Sequence, residues 1–373
     1  MKSKKAVIIG SGIAGLAASI RLVAQGYEVH VYEKSEKPGG KLGHFSEAGY
    51  QFDTGPSLFT QPHQLEALLA LVGETLSDYF TYQKMPVSCH YFYEDGTVIH
   101  AAADPELFAQ EAHLKTGEPV SNIKNYLAAS EKLYTRIGQV FLDHSLHKFS
   151  TLFKIPLMSA LRAFKLPYVT RSMHKHNEKA FSSKKLVQLF NRYATYNGSN
   201  PYVAPSMLTL IAHLEHNEGS FYPSGGMISI TNALVAVAKK HGVQFHFNSP
   251  VQKITTSNNK VTGVVVNDAA VPADLVVSNA DVYFTYLNLL GEPSKAQHIL
   301  KQERSSSALI FYWGIKKDFP QLSLHNIFFT ENYEAEFAHL FEVKIPFSDP
   351  TVYINITSVC EPGIQAPAGK QNW

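Results

Sequence analysis

Cysteine is scarce. The 373 residues include only Cys89 and Cys360, too few for a disulfide framework and in keeping with a reducing compartment such as the cytoplasm. No run of about 18 apolar residues occurs, so no membrane-spanning helix is expected. The HExxH helix of zinc proteases, the GxSxG nucleophile elbow and the P-loop are all absent. A strong excess of charge is missing too: 33 basic residues against 31 acidic give a net charge of +2, which argues against a dedicated nucleic-acid binder. With 45% hydrophobic and 17% charged residues, the chain reads as a folded protein, long enough for about two to three domains.

What is present begins at the N-terminus. Basic residues followed by the apolar run Ala6 to Ala18 superficially mimic a secretory signal. The better reading is a strand from Lys5 to Ile9, a turn Gly10-Ser11-Gly12-Ile13-Ala14-Gly15, a helix from Leu16 to Gln25 closed by Gly26, and a second strand from Glu28 to Glu33. The three glycines of the turn then play separate parts. Gly10 permits the tight turn, Gly12 lets backbone approach a pyrophosphate, and Gly15 allows helix and strand to pack closely. The helix N-terminus offers free amides and a positive dipole end to phosphate. Glu33, 18 residues past Gly15, is placed to accept a hydrogen bond from a ribose hydroxyl. Together these features predict dinucleotide binding.

The following stretch narrows the choice of dinucleotide. It runs Glu33-Lys34-Ser35-Glu36-Lys37-Pro38-Gly39-Gly40-Lys41, and then Gly49-Tyr50-Gln51-Phe52-Asp53-Thr54-Gly55-Pro56-Ser57. A double glycine followed by a cation, so soon after the ribose acid, suits a second loop folding back over the pyrophosphate, with Lys41 offsetting its charge. This run resembles the glycine-doublet signature of flavoproteins related to amine oxidases, which bind FAD. Within them it is most similar to the carotenoid (phytoene) desaturase family. Lys41 stands where arginine is usual, which keeps the charge but gives up bidentate recognition.

A second block carries the same resemblance. Asn197-Gly198-Ser199-Asn200-Pro201-Tyr202 leads to Glu215, then to Phe221-Tyr222-Pro223-Ser224-Gly225-Gly226-Met227. Next come a helix from Ile228 to Lys240, strands around Val243 to Phe247 and Lys260 to Val266, and the run Asp274-Leu275-Val276-Val277-Ser278-Asn279-Ala280-Asp281. The resemblance implies an α/β protein: a Rossmann-like FAD-binding domain around a parallel sheet, built from residues 1–80 and 218–285, and a discontinuous α+β substrate domain from 81–217 and 286–373. It assigns FAD to Gly10, Gly12, Ile13, Ala14, Gly15, Glu33, Lys34, Gly39, Gly40, Lys41, Gly55, Pro56 and Ser57, with Val251 meeting the adenine through its backbone. Strand-like alternation at Ala308–Ile315, Ile327–Thr330 and Thr351–Thr357 predicts a second sheet, either the floor of a substrate cavity or ordinary core.

The implied activity is FAD-dependent desaturation of a long isoprenoid hydrocarbon, of the phytoene desaturase kind. Later-step action on a hydroxylated carotenoid, another flavoenzyme of the superfamily and a non-catalytic prenyl-lipid binder are the alternatives. Glu215 is the candidate base, against a structural carboxylate at a domain junction. In this family a C-terminal glycine-rich segment returns to the flavin. None appears before Trp373, so the chain reads as C-terminally truncated, which argues against activity in isolation.

Charge is unevenly spread. From His144 to Lys185, nine basic residues, among them Lys154, Arg162 and Lys165, face the single acid Glu178, a local +8 that leaves −6 for the rest. The apolar stretch from Thr151 to Thr170 carries three of these cations and no acid. It reads as a surface for anionic lipid and a peripheral membrane association, or as a solvated helical face. The histidine pairs His144/His147, His174/His176 and His213/His216 lack the companions a metal site needs, and no metal is expected.

Overall fold

The structure, a computed structural model, describes residues 3–138, 167–302 and 304–373. Much of the basic segment, with Lys148, Lys154, Arg162 and Lys165, and the pair His144/His147, therefore lies outside the described residues. Among the described residues, no helix is long and apolar enough to cross a membrane. The chain divides into two compact units. One comprises residues 1–83, 221–304 and 361–368, the other 84–220, 305–360 and 369–373.

The first unit is built on a four-stranded parallel sheet in the order Leu275–Ser278, Lys5–Ile9, Glu28–Tyr32, Gln244–His246. The Lys5–Ile9 strand is buried on both faces, as its unbroken apolar run requires. Ala6 and Ile8 join the core that contains Leu16 and Ile20 of the helix Ile13–Val23 and Leu234 and Val237 of the helix Ile228–Lys240. Val7 and Ile9 face a second cluster with Ile254 and Val264. Those two residues come from an antiparallel sheet of Val251–Ser257, Lys260–Val266 and Ala269–Pro272. The N-terminal apolar run is thus strand, turn and helix.

Residues 286–304 and 361–368 belong to this first unit, which moves the boundaries away from those expected. Packing explains the shift. Leu289 and Leu290 close the cluster around Ile254 and Val264, Ala366 packs with Tyr50 and Phe52, and Gln365 O accepts from the Gln51 amide at 2.9 Å.

The second unit has a four-stranded sheet in the order Val352–Asn355, His325–Phe328, Val87–Phe92, Val98–Ala102, all antiparallel except the central parallel pair. Helices Pro105–Thr116, Val120–Leu133 and Lys184–Asn191 cover a core that includes Tyr91, Ile99, Phe108, Ile123 and Phe190. Two of the three expected strands join this sheet. The third does not: from Ala308 to Ile315 only Gly314–Ile315 is strand, paired with Gln371–Asn372. Alternation records which residues could pair, and pairing also needs a neighbouring strand.

Candidate functional site

The glycine turn is held by its own backbone. Gly10 takes φ +92° and its amide donates to Tyr32 O at 2.8 Å. A Cβ on Gly15 would stand 2.2 Å from Gly10 O, so helix and strand approach too closely for any other residue there. Gly12 is the N-cap of the helix Ile13–Val23, and no side chain caps it. The first-turn amides, those of Ile13 and Ala14 among them, are therefore open to an anion.

The doublet loop lies directly against this turn. The Gly39 amide donates to Ser11 O at 2.9 Å, Gly12 and Gly39 form a parallel bridge, and a Cβ on Gly40 would meet Gly12 Cα at 3.3 Å. Gly39 and Gly40 both have positive φ, +112° and +59°. Gly55 serves the same loop from behind, since a Cβ there would lie 1.9 Å from Lys41 O. Asp53, two residues earlier, accepts from the amides of Met227 (2.8 Å) and Ile228 (3.2 Å) and so fixes the start of the helix that follows the second glycine doublet.

Glu33 is buried. Its Oε2 accepts from the Ser11 amide at 2.8 Å and from Ser11 Oγ at 2.9 Å, and its Oε1 from the Ser35 amide at 2.9 Å. Burial pushes this carboxyl up, but the hydrogen bonds from Ser11 and Ser35 outweigh it and hold the group below its ordinary range. Ionised, the group can only accept hydrogen bonds, and it lines a cleft. Glu33 O accepts from the Ser249 amide at 2.8 Å and so draws Pro250 and Val251 alongside.

These parts open on one cleft of about 1310 Å³, above the roughly 300–1,000 Å³ usual for drug-sized ligands. Gly10, Gly12, Ile13, Ala14, Glu33, Lys34, Gly39, Gly40, Lys41, Pro56 and Val251 line it. Gly15, Gly55 and Ser57 are not part of its lining; the first two act from behind, as backbone spacers. The cleft also takes in residues that motif reading passed over, notably Asn279, Gln61, Phe284 and Asn288. Asn279 was within reach of sequence reasoning, because it directly follows an apolar strand. A dinucleotide fits this donor set: uncapped helix amides and two glycine loops in contact face the phosphates, the Glu33 carboxylate a ribose, and apolar Val251 and Leu289 a base.

Glu215 lies elsewhere, in the second unit, 2% exposed. Arg192 Nη2 donates to both its oxygens, at 3.0 and 2.8 Å, and the hydroxyls of Tyr91, Tyr193 and Tyr196 also donate to it. Burial would raise its pKa, yet the Arg192 guanidinium and these donors hold it down at about 2. Such a group keeps its charge and has no spare capacity for a proton at neutral pH. Its surroundings are those of the structural carboxylate. Among the described residues, no group of three or more His, Cys, Asp or Glu side chains could hold a metal. Of the described histidine pairs, His174 bonds Asn191 and His213 bonds Asn217, and Tyr193 meets His216 at 2.7 Å.

Comparison with known proteins agrees with this geometry. The family described as flavin containing amine oxidoreductase matches residues 13–308. A 1-hydroxycarotenoid 3,4-desaturase of Flavobacterium sp. (strain P99-3) is 50% identical over 372 residues, covering 99% of this chain and 75% of that protein. A 4,4'-diapolycopene oxygenase of Methylomonas sp. is 33% identical over 98% of this chain and 74% of its own length. An oxidoreductase from Methanosarcina mazei shares the fold, with a TM-score of 0.62 at 20% identity, over 99% of this chain and 77% of that structure. The chain belongs to the flavin-containing amine oxidoreductases and is an FAD-dependent oxidoreductase of that family.

Proposed function

We propose that the chain desaturates a carotenoid late in its elaboration, on a polyene that already carries a hydroxyl group, rather than phytoene. The observation that carries this reading is the 50% identity, over 99% of the chain, to a desaturase acting on a 1-hydroxycarotenoid. That identity is well above the 33% shared with a relative that oxygenates a diapocarotenoid.

In this reading the amides of Ile13 and Ala14 and the apposed loops Gly10–Gly15 and Gly39–Lys41 bind the pyrophosphate, and Lys34 and Lys41 offset its charge. Glu33 accepts from a ribose hydroxyl, the backbone of Val251 meets the adenine, and Pro56 continues the wall. When bound, FAD supplies hydride acceptance from a saturated carbon beside the polyene, while the neighbouring carbon loses a proton and conjugation grows by one double bond. The chain's part is to hold, orient and exclude water. Glu215, already paired with Arg192, serves in this reading as a structural anchor.

A hydrocarbon of about forty carbons, at roughly 0.8 kcal/mol per buried CH₂, resists leaving the bilayer by tens of kcal/mol. The substrate is therefore collected at a membrane, and the excess of basic residues between His144 and Lys185 favours an anionic surface. The test is incubation of the protein with FAD and liposomes holding either a 1-hydroxycarotenoid or phytoene, followed by absorption spectra and product masses. A product two hydrogens lighter, absorbing at longer wavelength, is expected from the hydroxylated substrate alone. A product with added oxygen favours an oxygenase, and turnover of phytoene returns the chain to the early step.

A further inference from the structure

Asn279 occupies the hollow that the three glycines leave. Its backbone is pinned to the first strand, with its amide donating to Ile9 O at 2.8 Å. Its side chain then lies across the turn. A Cβ on Gly12 would come within 2.8 Å of Asn279 Nδ2, and one on Gly15 within 3.1 Å of the same atom and 3.3 Å of Asn279 Cβ. The missing side chain at position 12 thus makes room for this carboxamide, whatever else it makes room for.

The place is a distinctive one. In the sheet order, Leu275–Ser278 flanks Lys5–Ile9 on one side and Glu28–Tyr32 flanks it on the other. The chain leaves Lys5–Ile9 toward Glu28–Tyr32, so the crevice between the carboxyl ends of Lys5–Ile9 and Leu275–Ser278 is a switch point where open parallel sheets bind ligands. Asn279 is the first residue beyond the Leu275–Ser278 strand and lines the cleft. Among the described residues its half-buried carboxamide has no hydrogen-bond partner. A half-buried amide held in place by backbone and glycines, with no partner from the chain, is suited to a partner from outside it.

We propose that Asn279 is a positioning residue for the dinucleotide, its carboxamide donating a hydrogen bond to a phosphate oxygen held by the glycine turn. This rests on the cleft being the FAD site. The amide contributes direction where the helix N-terminus contributes mainly field, since it sets a single donor against the turn that holds the anion.

The test is FAD titration of the apoprotein, followed by flavin fluorescence, for wild type, Asn279→Ala and Asn279→Asp, with the thermal midpoint of each apoprotein as the fold control. Loss of one hydrogen bond to a charged group weakens FAD binding about ten- to a hundredfold in Asn279→Ala. Asn279→Asp keeps the shape but sets a carboxylate beside phosphate, and should bind more weakly still. A purely packing role predicts the reverse order, the isosteric aspartate being the milder change. That order, or wild-type affinity in both variants, overturns the proposal. If Asn279→Asp does not fold, the ³¹P signals of FAD bound to Asn279→Ala decide: a pyrophosphate resonance displaced from wild type supports the contact, and an unmoved one overturns it. Failure of the wild type itself to bind FAD removes the reading of the cleft, and this proposal with it.

Discussion

Gly12 and Asn279 are a coupled pair, and their coupling can be measured without any ligand. A methyl group at position 12 meets the Asn279 amide at 2.8 Å, a contact that forces either side chain or turn to move. Because the crowded atom is the end of a side chain and Gly12 has an ordinary φ of −67°, Gly12→Ala should destabilise the apoprotein by no more than about 1 kcal/mol, and not at all in an Asn279→Ala background; equal losses in urea denaturation would show that the amide is not what crowds the site. The buried polar cluster of the second unit gives a pH signature of its own. Burial holds the imidazoles of His216 and His325 down at about 4, against an ordinary 6.5. As pH falls below 6.5 the unfolded chain takes up protons that these native residues refuse, so stability drains until pH reaches about 4, by up to about 3 kcal/mol for each. Glu215, lowered from 4.5 to about 2, adds a further loss between those two values, because its depressed pKa stabilises the fold only while it is ionised. Replacing His325 with Gln should flatten the slope of stability against pH between 6.5 and 4 by up to about 1.4 kcal/mol per pH unit; an unchanged slope would mean that His325 titrates normally. At neutral pH, Glu215→Gln leaves the Arg192 charge buried without its counter-ion and should cost about 3–5 kcal/mol, seen as a lower urea midpoint. Glu215 is singled out by the sequence, but the partners that hold it are not. Arg192 and Glu215 are 23 residues apart with no shared motif, and Tyr91 comes from a distant strand.

At the level of elements, the readable parts were those whose reasons are local. The strand Lys5–Ile9, the helix Ile228–Lys240 and the strand Lys260–Val266 fall where periodicity and turn residues place them. Gly10 and Gly15 are demanded by backbone geometry within a few residues. Asp53 shows what such reading leaves out. It stood inside a recognisable run, yet its work is done 174 residues away, where its carboxylate accepts from the amides of Met227 and Ile228 and caps the helix Ile228–Lys240. Burial pushes its pKa up, and those two amide bonds pull it back down. Asp53→Ala should lower stability by about 1–2 kcal/mol, and Asp53→Asn by less, since a carboxamide oxygen still accepts. Urea midpoints check the order. If Asp53→Ala matches wild type, the start of the helix is secured by other contacts, such as Thr231 Oγ1 donating to Leu42 O.

For the molecule as a whole, the feature with the largest physical consequence is an apolar stretch that the second unit leaves in water. Leu309 is 83% exposed, Phe311 61%, Ile310 56% and Trp313 52%. The stretch is tethered at both ends, upstream by the Ser306 amide donating to Gly198 O and downstream by the reciprocal bonds of Trp313 with Trp373, while Ser307–Phe311 belongs to no strand. Its alternation predicts a strand, and the prediction failed because period two states a preference that only a neighbour can satisfy. Large side chains exposed on both faces of an extended segment with strong β-propensity are what pairs between molecules. The protein should therefore self-associate as its concentration rises, and the Leu309→Ser, Phe311→Ser double variant should stay dispersed in light scattering at the same concentrations. Because neither side chain is buried, the variant's thermal midpoint should remain close to wild type. Association that persists undiminished in the variant would move the sticky surface elsewhere, with the exposed Phe284 of the first unit the next residue to replace.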